Sequence, residues 1–342
     1  MRRRLPILLL LLAGAFTVPT SAQAERSSPD SGASTTTITA SRAAADPRRT
    51  RGLYVDPRMK AAQAGPAFAA IGRKAQPLWI TDYYDDPAAA TRDYVTRAER
   101  AGKTPLLVVY NIPDRDCGLY SSQDEQVTDA EYRAFVRAVA KGLRGTRPIL
   151  ILEPDAVPFI GNPSCTGQGD RLALLRDAVT VLTKAGAWVY LDAGHSGWQT
   201  PAHTAPLLAK AGVATARGIA TNVANTRATT DEHTYATAVV RALKARGIGG
   251  VRYVMDTSRN GAGRNGPENG DVCNPVDARL GLPPQLRFDG AFDGRLWVKL
   301  PGESDGPCNG GPSSGEFFPT GACRLLGTAS SYYDTGTRTC RS

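Results

Sequence analysis

Along residues 52 to 300, short apolar, β-branched runs alternate with longer stretches whose apolar positions recur at helical period. This alternation marks an α/β domain built on a parallel sheet. The runs predict strands at 77–81 (PLWIT), 104–110 (TPLLVVY), 147–152 (RPILIL), 187–192 (AWVYLD), 218–223 (GIATNV), 250–255 (GVRYVM) and 295–299 (RLWVK). The segments between them predict helices over 129–144, 169–185, 202–213 and 230–246, the first opened by a capping box of Thr128 and Glu131. Runs this apolar suit strands covered on both faces. About seven such strands in series predict a parallel β/α barrel.

The residues just past the strand ends are polar: Asp114, Arg115, Asp116, Glu153, Asp155, Asp192, His195, Asn222, Asn225, Asp256, Lys299, Glu303 and Asp305. In a barrel of parallel strands these positions converge on the C-terminal mouth, where active sites are built. An isolated Asp after a strand is as often the N-cap of the next helix. Capping does not account for six strand ends at once. The stretch RPILILEPDAVP at 147–158 is the densest case, an aliphatic run ending in two carboxylates held among prolines.

The first 24 residues change the picture of where such a domain works. Three arginines, an apolar stretch from Leu5 to Val18 and Ala22-Gln23-Ala24 form a secretory signal with its cleavage pattern. The apolar stretch is too short for a membrane span, so the expectation is an exported chain free of the membrane once the signal is removed. Residues 25–51, rich in Ser, Thr and Ala, read as a flexible lead-in, leaving 52–342 as a single catalytic domain. Six cysteines in an exported chain predict disulfides, and six allow fifteen pairings. The net charge of +9 falls to +6 when the three signal arginines are removed. The remaining basic residues are scattered, which argues against a nucleic-acid surface.

Six stretches carry recognisable chemistry: VVYNIPDRDCGLYSS (108–122), ILEPD (151–155), YLDAGHSGW (190–198), ATNVANT (220–226), DTSRNG (256–261) and WVKLPGESDG (297–306). In this order they resemble the family 6 glycoside hydrolases, the cellulases, over most of residues 75 to 310. The resemblance implies a distorted parallel β/α barrel with its cleft at the C-terminal strand ends, and hydrolysis of β-1,4-glucosidic bonds without a cofactor. Such cleavage needs one carboxylic acid to protonate the leaving oxygen and one carboxylate to assist water, roughly 6.5–9.5 Å apart when the configuration inverts. The resemblance makes Asp155 the proton donor and Asp305 the candidate base. It makes Asp116 the neighbour whose like charge raises the pKa of Asp155. By the same match Trp79, Tyr110, Arg115, Ser122, Asp192, His195, Trp198, Asn225, Lys299 and Glu303 line the sugar cleft. It pairs Cys117 with Cys165 and Cys273 with Cys308, which leaves Cys323 and Cys340 as a C-terminal staple.

Two departures stand out. Val272 precedes Cys273 where the family often has Trp, and Pro201 takes a position often aromatic, which implies a weakened or displaced sugar subsite. Trp188 and Trp297 read as core, and His203 and His233 as helix bystanders. The expected activity is endo-acting, because the chain has few residues to spare for loops that roof a tunnel. An exo-acting cellobiohydrolase is the alternative, and a non-catalytic carbohydrate-binding relative a further one. Gly-x-Ser-x-Gly occurs in GESDG (302–306) and GPSSG (311–315), but neither opens a predicted helix, so no nucleophile elbow is read; the chain has no His-Glu-x-x-His helix, and Asp192 with His195 makes a poor zinc shell. Nothing in the pattern demands more than a monomer.

Overall fold

All the apolar runs become strands. In the computed structural model, which describes residues 46–118, 127–165, 168–267 and 271–342, six of them pair in parallel in chain order. These are β1 (Leu78–Ile80), β2 (Leu106–Val109), β3 (Ile149–Leu152), β4 (Trp188–Asp192), β5 (Gly218–Thr221) and β6 (Arg252–Asp256). A hairpin follows, β7 (Gln285–Asp289) and β8 (Phe292–Leu296); β8 joins β6 in parallel and β7 lies antiparallel at the edge. The seventh parallel strand therefore sits three residues before its predicted place, and β7 is additional to the strands that the pattern predicts.

Two short helical turns, α1 (Lys60–Gln63) and α2 (Ala69–Gly72), precede the sheet, and α3 (Pro87–Arg100), α4 (Asp129–Leu143), α5 (Arg171–Lys184), α6 (Pro201–Lys210) and α7 (Thr229–Ala245) form the crossovers. The start of α4 is set by the predicted capping box: Thr128 accepts from the Glu131 amide, and the Glu131 carboxylate accepts from the Thr128 amide at 2.8 Å. Its stripe Tyr132, Phe135, Val136, Val139 and Leu143 follows helical spacing and is buried against the sheet.

Alternation along each strand divides the core in two. Leu107, Val109, Leu150, Leu152, Val189, Leu191, Ile219 and Met255 face the helices. Their neighbours Leu106, Val108, Ile149, Ile151, Tyr190, Ala220, Val254 and Leu296 meet in one inner cluster that also takes in Trp79. Side chains from β1 and β8 can share a cluster only if the sheet curls. The curl does not close by strand pairing, since β1 and β7 are the two edges. Instead the Trp79 indole N–H donates to the carbonyl of Val298, just past β8, at 2.9 Å.

The N-terminal mouth is plugged. Trp188, at the start of β4, lies between the guanidinium groups of Arg48 and Arg217, 4.0 and 4.1 Å from its ring centre. Asp293, fully buried, accepts from Arg217 at 2.7 Å and from the Tyr190 hydroxyl at 2.6 Å. Arg48 belongs to the stretch expected as lead-in, yet it is 2% exposed and bonds the carbonyls of Pro148 and Gly186. At the C-terminus α8 (Pro319–Leu326) packs on the hairpin β9 (Tyr332–Asp334) and β10 (Thr339–Arg341), with Cys323 bonded to Cys340.

Candidate active site

Each loop leaving a strand at the C-terminal mouth has to turn sharply. Asp114, Asp116, Cys117, Glu153, Asp155, Asn222 and Ala224 do so with positive φ between 47° and 66°. Asp and Asn tolerate this region better than other non-glycine residues, which explains part of the polar bias at the strand ends. Disulfides then fix the loops: Cys117–Cys165 joins the loops carrying Asp116 and Asp155, and Cys273–Cys308 braces the one carrying Asp305.

The strand-end carboxylates separate into two sets. Glu153, Asp192 and Asp256 are buried to 1% exposure or less and accept backbone N–H groups. Glu153 takes those of Asn111 and Ile112 at 3.0 Å, and Asp192 those of Asp155 at 2.7 Å and Gly194 at 3.2 Å. Asp256 takes those of Ala224, Ser258, Val298 and Lys299, and so binds three loops at once. Burial pushes both Glu153 and Asp192 up to about 7. These three acids build the mouth. Asp192 therefore stands behind the cleft wall, a correction to its expected place on the lining.

Asp116, Asp155 and Asp305 face a cleft of about 970 Å³, together with Trp79, Tyr110, Arg115, His195, Trp198, Asn225, Lys299 and Glu303. Of the expected lining only Asp192 is elsewhere, and Ser122 lies outside the described residues. Asp155 and Asp305 sit in opposite electrostatic settings. Burial, then the carboxylate of Asp192, then that of Asp116, push the Asp155 carboxyl well above the usual carboxylate range. The expected neighbour effect of Asp116 is present, but it ranks below burial and Asp192. Asp305 meets Lys299 Nζ at 2.7 Å, the Arg259 guanidinium, and the Asn274 amide at 2.8 Å. Those cations outweigh its burial and hold it far below the usual range.

The aromatic residues are held by their edges. Trp79 packs edge-on to Tyr110 at 5.5 Å, and Trp198 packs edge-on to Phe159 at 4.8 Å. His195 Nδ1 accepts from the Gly197 amide at 3.2 Å, and burial with nearby Arg227 lowers its pKa to about 4, so the ring is neutral at neutral pH. Trp297 is 1% exposed and belongs to the core, as read from the sequence, and Trp188 packs in the plugged mouth. His233 bonds the Tyr253 hydroxyl at 2.9 Å, away from the cleft.

Sequence reasoning missed Arg259, although it stands inside the DTSRNG motif, and it missed Lys60, Tyr83, Tyr84 and Glu316, which also line the cleft. The signal for Arg259 was a cation just past a strand end, the only one in its motif, like Arg115 and Lys299 in theirs. The others had none, because they come from segments outside every motif.

A curled parallel sheet with paired carboxylates at its C-terminal mouth defines a class of α/β hydrolytic fold, and comparison with known proteins narrows it. Residues 38–329 match the family model described as glycosyl hydrolases family 6, and the chain belongs to that family. It is 42% identical over 283 residues to Endoglucanase A of Cellulomonas fimi, covering 80% of this chain and 60% of that protein. It is 32% identical over 283 residues to the 1,4-beta-D-glucan cellobiohydrolase C of Emericella nidulans, covering 70% of this chain and 62% of that one. The chain thus spans only about 60% of the length of these two relatives. Among solved structures, the endoglucanase Cel6 from Mycobacterium tuberculosis, in complex with methyl-cellobiosyl-4-deoxy-4-thio-beta-D-cellobioside, superposes with a TM-score of 0.76 at 36% identity. That match covers 83% of this chain and 99% of the other.

Proposed function

We propose that this protein is a secreted, inverting endo-β-1,4-glucanase that cleaves internal bonds of cellulose or a related β-glucan. The observation that carries the reading is the contrast between two acids in one cleft, Asp155 held protonated and Asp305 held ionised. In this reading Asp155 gives its proton to the glycosidic oxygen as the bond to the anomeric carbon breaks. Asp305 accepts a proton from the water that attacks the opposite face, so the configuration inverts. Burial, reinforced by the carboxylates of Asp192 and Asp116, keeps Asp155 protonated at working pH. Trp79 and Trp198 offer ring faces to sugar C–H groups, and Lys299, Glu303 and Asn225 offer polar partners to hydroxyls. The residue 1–24 signal and three disulfides support export to an oxidising compartment. Endo action is favoured by the endoglucanase relatives named above.

The test is hydrolysis of a soluble cello-oligosaccharide with proton NMR of the newly formed anomeric centre, alongside Asp155→Asn. The expected result is initial α-anomer, with turnover in the variant lower by about 10²–10⁴-fold. Initial β-anomer, or an unimpaired variant, would sink the reading. Release of cellobiose alone, with no fall in the viscosity of soluble cellulose derivatives, would replace endo by exo action.

A further inference from the structure

The cleft extends past the acids and the two tryptophans. Its lining also takes in Lys60 at the start of α1, Tyr83 and Tyr84 in the loop that follows β1 and Trp79, and Glu316, a group termed the arm. Tyr83 is 61% exposed, an unusual setting for so large a ring, and it stands on the cleft wall. Tyr84 is half-buried, and burial with nearby Glu303 raises its pKa, so its hydroxyl stays protonated. Lys60 Nζ reaches Glu303 at 3.4 Å and bonds the Gly315 carbonyl, tying the two walls of the arm together.

Strand order gives the arm its direction. Asp155 follows β3, and His195 and Trp198 follow β4 on one side of it. β1 lies two strands away on the other side, about 10 Å across the sheet. A glucan chain laid over Asp155 with Trp198 on one flank runs toward Trp79 and then Tyr83 on the other.

We propose that this arm is a further glucosyl-binding subsite, with the exposed ring of Tyr83 as its platform and Lys60 and Glu316 as partners for the sugar hydroxyls. A pyranose ring set on an aromatic face covers apolar surface that is otherwise hydrated. Only substrates long enough to reach beyond Trp79 gain from it, so Tyr83 sets chain-length preference. This inference rests on the β-glucan reading above and extends it to the reach of the cleft.

The experiment compares wild type, Tyr83→Ala, Tyr83→Phe and the control Tyr332→Ala, which alters an exposed tyrosine outside the cleft. KM and kcat are measured on cello-oligosaccharides from three to six units. Thermal melts verify that each variant is folded. Tyr83→Ala is expected to raise the ratio of KM for the six-unit to that for the three-unit substrate roughly three- to tenfold, the worth of an aromatic contact. Tyr83→Phe, which keeps the ring, and Tyr332→Ala are expected to keep the wild-type ratio. An unchanged ratio in Tyr83→Ala, with wild type active, overturns the subsite and leaves the β-glucanase reading standing. Wild type inert on every oligosaccharide overturns both.

Discussion

Asp192→Asn isolates the contribution of a buried acid that never meets substrate. Asp192 binds the amide of Asp155 at 2.7 Å, and its carboxylate is second only to burial in raising the pKa of Asp155. The asparagine keeps one oxygen to accept that amide, gives up the longer bond from the Gly194 amide, and removes the charge. For carboxyl groups about 6 Å apart in a medium of effective dielectric near 20, the lost repulsion is about 3 kcal/mol, equivalent to roughly 2 pH units. Because Asp192 titrates at about 7, its charge acts on Asp155 only in the upper part of the pH range. An acid catalyst must be protonated, so activity falls as pH rises through its folded pKa. The alkaline limb of kcat/KM in the variant should therefore move down by about 1–2 units.

Stability supplies a second readout. The pKa of Asp192 rises from 3.8 to about 7 on folding, so its stabilising contribution is complete below 3.8 and is lost as pH climbs to 7. The variant escapes that loss. Between pH 4 and pH 8 its stability should gain on wild type by up to about 4 kcal/mol in urea unfolding. An alkaline limb that stays put or moves upward, with a stability difference independent of pH, would refute the reasoning.

Two further perturbations address the other ends of the barrel. Lys299→Met removes the 2.7 Å partner of Asp305 but leaves Arg259, so the depressed pKa of Asp305 should rise and the acidic limb of kcat/KM should move up by about 1 unit; an unmoved limb in the pH profile counts against Asp305 as the base. Arg48→Ala empties the plug of the N-terminal mouth, with its part-buried ion pair to Asp46, its bonds to the carbonyls of Pro148 and Gly186 and its contact with Trp188; chemical unfolding should show a loss of about 2–4 kcal/mol with turnover at 25 °C preserved.

Strands β1 to β6 were legible because each is a short apolar run, and most are set between segments of helical spacing. β7 was not, since Gln-Leu-Arg-Phe-Asp is a mostly exposed edge whose pairing depends on β8. β8 itself slipped by three residues because Asp293 and Gly294 read as loop, and only the distant Arg217 and Tyr190 make that aspartate tolerable inside. The same holds for Arg48, whose acceptors lie about a hundred residues away. At the site, the motif acids were readable as acids. Which of them would be covered by backbone was not, because Asp192 at the end of β4 and Asp155 just past β3 look alike in sequence, and only what folds over them separates them. The arm containing Tyr83 left no trace, as no periodicity marks a loop residue that stays in water.

Trp79 is both furniture and frame. Its ring forms part of the cleft wall, while its N–H is the stitch across the seam that the strands leave open. Phenylalanine or tyrosine at this position would offer a flat face to a sugar and still let the seam part, since neither places an N–H at that spot. Efforts to retune sugar affinity here are therefore also edits to the architecture, and a loss of binding in Trp79 variants has to be separated from a loosening of the barrel by measuring both.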